Sequence, residues 1–215
     1  NYDVDGVVVK INSIPYQTSL GSVGREPKWA IAYKFPAVQA FTRLIDIGIN
    51  VGRTGTLNPY AILAPVRVSG ATIRMASLHN EDDIHRKDLR IGDWVIVERA
   101  GDVIPQVVAP VISRRNGEER IFEMPTHCPV CEALLVRSPH ETAVRCPNGS
   151  CSAQLFELVK HFSAKDCMDI QGIGEKLSSA LIGSGIVRDV SDFYSITRDK
   201  LMSIERMADR SAAKI

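Results

Sequence analysis

Four cysteines stand in two close pairs, Cys128-Pro-Val-Cys131 and Cys146-Pro-Asn-Gly-Ser-Cys151, with 14 residues between the pairs. Two short knuckles at this distance can set four thiolates at the corners of a tetrahedron, the geometry structural zinc prefers. Gly149 helps the second knuckle turn. Such a closed four-sulfur site leaves no open coordination position, so the metal would hold a fold and catalyse nothing. The alternative is a pair of disulfides. Asp3 and Asp5 stand where a basic leader would begin, and without a secretory signal the reducing compartment favours zinc. His127 and His140 could each replace one thiolate, but four sulfurs already complete the set. Cys167 stands alone among apolar residues at helical spacing and reads as a small core residue.

Two lysines form a second constellation. In Asp5-Gly6-Val7-Val8-Val9-Lys10-Ile11-Asn12 a turn feeds a period-two run, with Val7, Val9 and Ile11 on one face and Val8, Lys10 and Asn12 on the other. In Trp29-Ala30-Ile31-Ala32-Tyr33-Lys34-Phe35-Pro36 the bulky Trp29, Ile31, Tyr33 and Phe35 alternate with Ala30, Ala32 and Lys34. A lysine among alanines leaves room for something to lie against that face. The alternative is a pair of edge lysines that only keep strands soluble.

The elements that must position these residues change character along the chain. The 215 residues are 45% hydrophobic and 24% charged, with 11 prolines and 15 glycines, which excludes a disordered, collagen-like or disulfide-dense chain. No apolar run approaches the roughly 20 residues a membrane span requires. Residues 1–36 read as strands. From 37 to 124, strand-like runs at Thr42–Val51, Ala61–Ser69, Thr72–Ala76, Asp93–Arg99 and Val103–Ile112 surround a short polar helix at Asn80–Leu89, as in a small OB-type barrel. An SH3-like barrel would give a similar pattern. Residues 125–155 hold the cysteine module.

Residues 156–215 switch to helical spacing. Leu155, Leu158, Val159 and Phe162 mark one amphipathic helix. Gly172-Ile173-Gly174 then leads into a second, running through Leu177, Leu181 and Ile182 to Gly183 or Gly185. Helix, Gly-hydrophobe-Gly turn and helix form a helix-hairpin-helix pattern, which brings backbone N–H groups up to an anion. A plain turn between two helices is the alternative. A second such turn would have Ala208 in place of a glycine. The fold class is thus multidomain α+β.

Charge excludes a strongly basic chain: 26 Lys plus Arg oppose 25 Asp plus Glu, with 4 against 3 in 1–36, 11 against 11 in 37–124, 2 against 2 in 125–155 and 9 against 9 in 156–215. Any nucleic-acid contact must come from local geometry rather than net field.

In this order the parts resemble one family, the bacterial NAD-dependent DNA ligases. Asp5–Lys10 resembles nucleotidyltransferase motif four, and Trp29–Pro36 resembles motif five. Val51-Gly52-Arg53-Thr54-Gly55, Ser77-Leu78-His79-Asn80 and Arg99-Ala100-Gly101-Asp102-Val103-Ile104-Pro105 resemble stretches of the family's OB domain. The resemblance implies that adenylate passes from NAD to a lysine and then to the 5′-phosphate of a nick, which the 3′-hydroxyl attacks. It implies nucleotide contacts for Lys10 and Lys34, and magnesium or manganese positioning for Asp5. Arg53, Thr54, Arg99, Gly172 and Gly174 are the expected contacts to nicked duplex DNA. A cytoplasmic, nucleoid-associated monomer is expected.

The family's nucleophile lies in Lys-x-Asp-Gly, a string absent from these 215 residues, where Asp5-Gly6 is the only Asp-Gly. With Asn1 in place of Met, an internal piece is expected, with the nucleophile upstream and further hairpins and a BRCT domain downstream. It should bind DNA without adenylating itself. A non-catalytic nucleic-acid-binding protein that reuses barrel, zinc module and hairpins is the alternative reading, and a native start near Asn1 would favour it. The zinc module argues against an ATP-dependent ligase or capping enzyme.

Overall fold

The computed structural model describes residues 4, 6–36, 38–99, 104–139, 141–205 and 207–215. Strand β1 (Gly6–Lys10) pairs antiparallel with β4 (Ala30–Lys34) in the register Gly6 to Lys34, Val8 to Ala32 and Lys10 to Ala30. Between them lie helix α1 (Ile14–Leu20) and a tight hairpin of β2 (Ser22–Val23) with β3 (Glu26–Pro27). The helix corrects the all-strand expectation for residues 1–36. Pro15, near its start, has a ring-fixed φ suited to a first helical turn, and Gly21 closes its end by donating its N–H to Gln17 O. A seven-residue helix is too short to declare itself by periodicity.

Next come β5 (Val38–Val51), β6 (Leu57–Val68), β7 (Ala71–Ser77), α2 (Glu81–Arg86), β8 (Arg90–Ile91), β9 (Trp94–Arg99), β10 (Gln106–Pro110) and β11 (Arg120–Ile121). Five of these strands close a barrel in the order β10-β7-β6-β5-β9, which fulfils the OB-type expectation. Their alternation fills the interior: Leu44, Ala61, Leu63, Val68, Ile73, Val95, Val97 and Val107 are buried, while Phe41, Arg43 and Ile45 project outward. The sequence element Ser77–Asn80 acts as a corner. Leu78 is buried, and Asn80 caps α2 by accepting the Asp83 N–H at 2.8 Å.

Two further strands, β12 (Val136–Arg137) and β13 (Val144–Arg145), form a small hairpin in the cysteine module. Four helices follow: α3 (Ser152–Ser163), α4 (Glu175–Gly183), α5 (Arg198–Met202) and α6 (Asp209–Ala212). Val159, Leu181, Val187, Leu201, Ile204 and Ala212 make their core. After Ala208 the chain enters α6 as it enters α4 after Gly174. Both residues take negative φ at the helix start, so alanine is tolerated there.

The chain divides into two compact units, one of Asn1–Asp46, Ala61–Ser77 and Leu89–Arg120, the other of Ile47–Tyr60, Leu78–Asp88 and Ile121–Ile215. In the first, Asp93 is wholly buried. Its carboxylate receives Arg115 Nε at 2.7 Å, Arg115 Nη2 at 2.8 Å and the Arg90 N–H at 2.8 Å. The Asp93 carbonyl accepts the Leu44 N–H at 2.8 Å, which ties this turn to β5. Removing one partner of a buried ion pair strands the other charge. Asp93→Ala should therefore lower unfolding stability by about 3–5 kcal/mol, measured by chemical denaturation.

Candidate metal centre and nucleic-acid interface

The second unit gathers the four cysteines. Cys128 and Cys131 flank a tight turn in which Cys128 accepts the Glu132 N–H and donates to Ala133 O. Cys146 follows β13, and Cys151 ends a turn closed by its N–H on Asn148 O before α3 begins. All four Sγ atoms lie within 4.8 Å of one another, with Cys128 to Cys151 at 4.0 Å and Cys131 to Cys146 at 3.5 Å. A tetrahedron of sulfurs about 2.3 Å from one zinc has edges of about 3.8 Å, so the donor set fits that ion. All five cysteines of the chain are free thiols, which removes the disulfide alternative.

The thiol pKa shifts within the cluster run in opposite directions. A backbone hydrogen bond from Ala133 lowers the Cys131 thiol to about 6, whereas burial pushes Cys146 up to about 12 and raises Cys151 as well. Left to themselves, Cys146 and Cys151 favour the neutral form. A divalent ion at their centre reverses that preference. The sulfurs also pack with Val51, Leu57, Ile49 and Met124, so the metal site sits inside a small apolar cluster. His127 stays outside it, its backbone bridged to Leu134 and its ring against Thr126. His140 lies outside the described residues. Cys167 corrects the sequence expectation: it is exposed on the turn after α3, with its sulfur 3.5 Å from the His161 ring. The helix ends at Ser163, so the spacing that suggested a core position no longer applies there.

Arg53 and Thr54 occupy the middle of a turn in which Gly55 donates its N–H to Gly52 O at 2.9 Å. The turn holds both side chains out at the surface. Gly55 has φ of +77°, and a Cβ there would stand 2.4 Å from Cys146 O. Arg53 also lines a cleft of about 510 Å³ with Ser150, Gln154, Leu158, Arg188 and other residues of this unit. Gly172 takes φ of +93°, which lets the hairpin between α3 and α4 reverse. Gly174 precedes α4 with open space where a side chain would be, and no side chain caps the helix start.

In the first unit, Lys10 and Lys34 share one face of the β1–β4 pair. Ala30, Val8 and Ala32 lie between them, and the lysines are about 13 Å apart along the strands. The other face carries Ile31 and Tyr33, both exposed. Arg99 ends β9, half-buried, opposite Val38. Asp5 and residues 100–103 lie outside the described residues. One cluster escaped the sequence reading: the Arg114 guanidinium lies 4.9 Å from the Trp94 ring centre and 5.7 Å from that of Phe41. Strand register brings these residues together, and no local motif announces it.

These features define a multidomain α+β protein built on an OB-fold and a C4 zinc finger. Three family models match the chain: the NAD-dependent DNA ligase adenylation domain over residues 1–38, the OB-fold domain of the same ligases over 41–119, and their C4 zinc finger domain over 127–153. The whole chain aligns with a DNA ligase of Anoxybacillus flavithermus at 49% identity, covering 32% of that protein. A DNA ligase of Roseiflexus castenholzii is 51% identical with 30% covered, and one of Dehalococcoides mccartyi is 52% identical with 33% covered, again over the whole of this chain. The chain belongs to the NAD-dependent DNA ligase family, and it spans about a third of the length of the curated relatives it matches.

The metal assignment is tested directly. Elemental analysis should find one zinc per chain. Cys128→Ser should release it and raise amide-hydrogen exchange around the knuckles, because metal binding and folding are one equilibrium in such modules. Full occupancy in that variant would contradict the four-thiolate site.

Proposed function

We propose that this chain is the part of an NAD-dependent DNA ligase that completes the nucleotide pocket and grips DNA. The parent enzyme would join a 5′-phosphate to a 3′-hydroxyl at nicks in duplex DNA, through lysyl-AMP and DNA-adenylate intermediates. The observation that carries this reading is the shared face of Lys10 and Lys34, with small residues between two ammonium groups on β1 and β4. Phosphoryl transfer is catalysed chiefly by positioned positive charge, which the two lysines would supply. Asp5 would hold a magnesium or manganese ion, whose preference is for carboxylate oxygen.

DNA would be held by Arg53 and Thr54 on their turn, by Arg99, and by the backbone at Gly172 and Gly174. Helix starts and arginines grip phosphates without reading bases. The family's nucleophilic motif is absent from these 215 residues, so the chain alone would bind nicked duplex without adenylating itself. No helix among the described residues is long and apolar enough to cross a membrane. A monomer working in the cytoplasm at the nucleoid is the setting this chemistry suits.

In the complete enzyme, Lys34→Ala should reduce adenylate transfer by about two orders of magnitude or more with the fold intact, read by single-turnover kinetics and circular dichroism. Near-normal sealing would remove Lys34 from the site. On the chain itself, affinity for nicked duplex should fall steeply with added salt and vary little with base sequence. A strong preference for one sequence would count against a phosphate-led grip.

A further inference from the structure

The turn bearing Arg53 and Thr54 is not anchored by its own strands alone. Its last residues are built into the backbone of a metal ligand. The Cys146 N–H donates to Gly55 O at 2.9 Å, and Thr56 forms a bridge with Arg145 across the same joint. Gly55 lies so close to Cys146 O that no side chain fits between them. From the knuckle side, Gln154 Nε2 holds both Cys146 O and Asn148 O at 3.0 Å, which fixes the ligand's carbonyl against the turn.

Arg145 supplies the side-chain half of the joint. Its Nη1 reaches Thr56 Oγ1 at 2.8 Å and Thr54 Oγ1 at 3.4 Å, and its Nε donates to Glu141 at 3.1 Å. Thr54 and Thr56 are themselves 3.1 Å apart through their hydroxyls. One guanidinium therefore clamps the two threonines that flank Gly55, from a position next to a metal-binding cysteine in sequence.

We propose that Arg145 is a positioning residue that couples the zinc site to the Arg53–Thr54 turn. Binding of a DNA phosphodiester backbone at that turn and retention of zinc then stabilise each other. This rests on the reading of the turn as a DNA contact. Loss of the metal frees Cys146, and with it the backbone that sets the turn. Reciprocity of linked equilibria requires that DNA, by fixing the turn, strengthen zinc binding by the same factor.

The test uses the zinc-loaded chain and a nicked duplex. Zinc is partitioned at equilibrium against a chromophoric chelator with and without saturating DNA, and DNA affinity is measured by anisotropy. DNA should protect the wild-type site, raising its zinc affinity about fivefold or more, a common size for coupling between sites. Arg145→Ala should keep one zinc per chain, bind DNA about fivefold or more weakly, and lose the protection. Its salt dependence should stay at the wild-type slope, since a positioning role touches no phosphate, whereas a slope lowered by about one would make Arg145 a direct phosphate contact and overturn the proposal. Gly55→Ala removes no charge and should lose the protection in the same way. If that variant cannot hold zinc, Arg145→Ala carries the test alone. Wild-type affinity and protection in Arg145→Ala overturn the coupling. Arg53→Ala separates the layers. If it binds DNA normally, the turn is no contact and the underlying reading falls with the coupling. If it weakens binding while Arg145→Ala does not, the coupling alone fails.

Discussion

Four sulfurs within reach of a single ion impose the constraint on which the second unit depends. The knuckle segment has little else to bury. Its apolar cluster consists of Cys128, Cys146, Cys151, Val51 and Leu57 with a few partly covered neighbours. A segment this small does not repay its conformational entropy with hydrophobic area, and metal coordination supplies the difference. The consequence reaches past the knuckles, because the main chain at Cys146 is shared with the turn at Gly55. A structural ion thereby fixes the direction of residues that touch no metal.

The same unit is further secured through α2. Arg137 on β12 forms a two-pronged pair with Asp82, at 2.7 and 2.8 Å, and reaches Glu81 at 3.4 Å. Glu81 in turn accepts the Met124 N–H, and His85 meets Phe122 O at 3.0 Å. Exposed pairs of this kind contribute little to stability individually. Here they fix orientation, and they occupy acidic side chains that would otherwise repel a polyanion. That matters in a chain of net charge +1, where any affinity for a polyanion has to be created locally. Asp93 in the first unit is neutralised in the same spirit, with Arg115 on its carboxylate.

Local signals carried much of the architecture. Alternation in β5, β6 and β9 marked the barrel strands because one face of each is buried, and that alternation is written residue by residue. The stripe of Leu155, Leu158, Val159 and Phe162 marked α3, and the cysteine spacing marked the metal site. The failures share one cause. Helix α1 is seven residues long and depends on Pro15 and Gly21 rather than on a repeating face. Cys167 was read through a periodicity that the chain abandons four residues earlier. In each case the pattern was shorter than the window needed to see it.

By itself the sequence determined the zinc ligands, the order of the modules and the alternation that puts Lys10 and Lys34 each on a definite side of its strand, because these follow from residue type and fixed spacing. Only the tertiary structure decided that β1 and β4 pair so that both lysines face the same way, that Arg114 meets Trp94 and Phe41, and that Arg145 clamps Thr56 across 89 residues of chain and Thr54 across 91. Register and long-range closure depend on how much apolar surface each pairing buries. That quantity belongs to pairs of segments and is written in neither one alone.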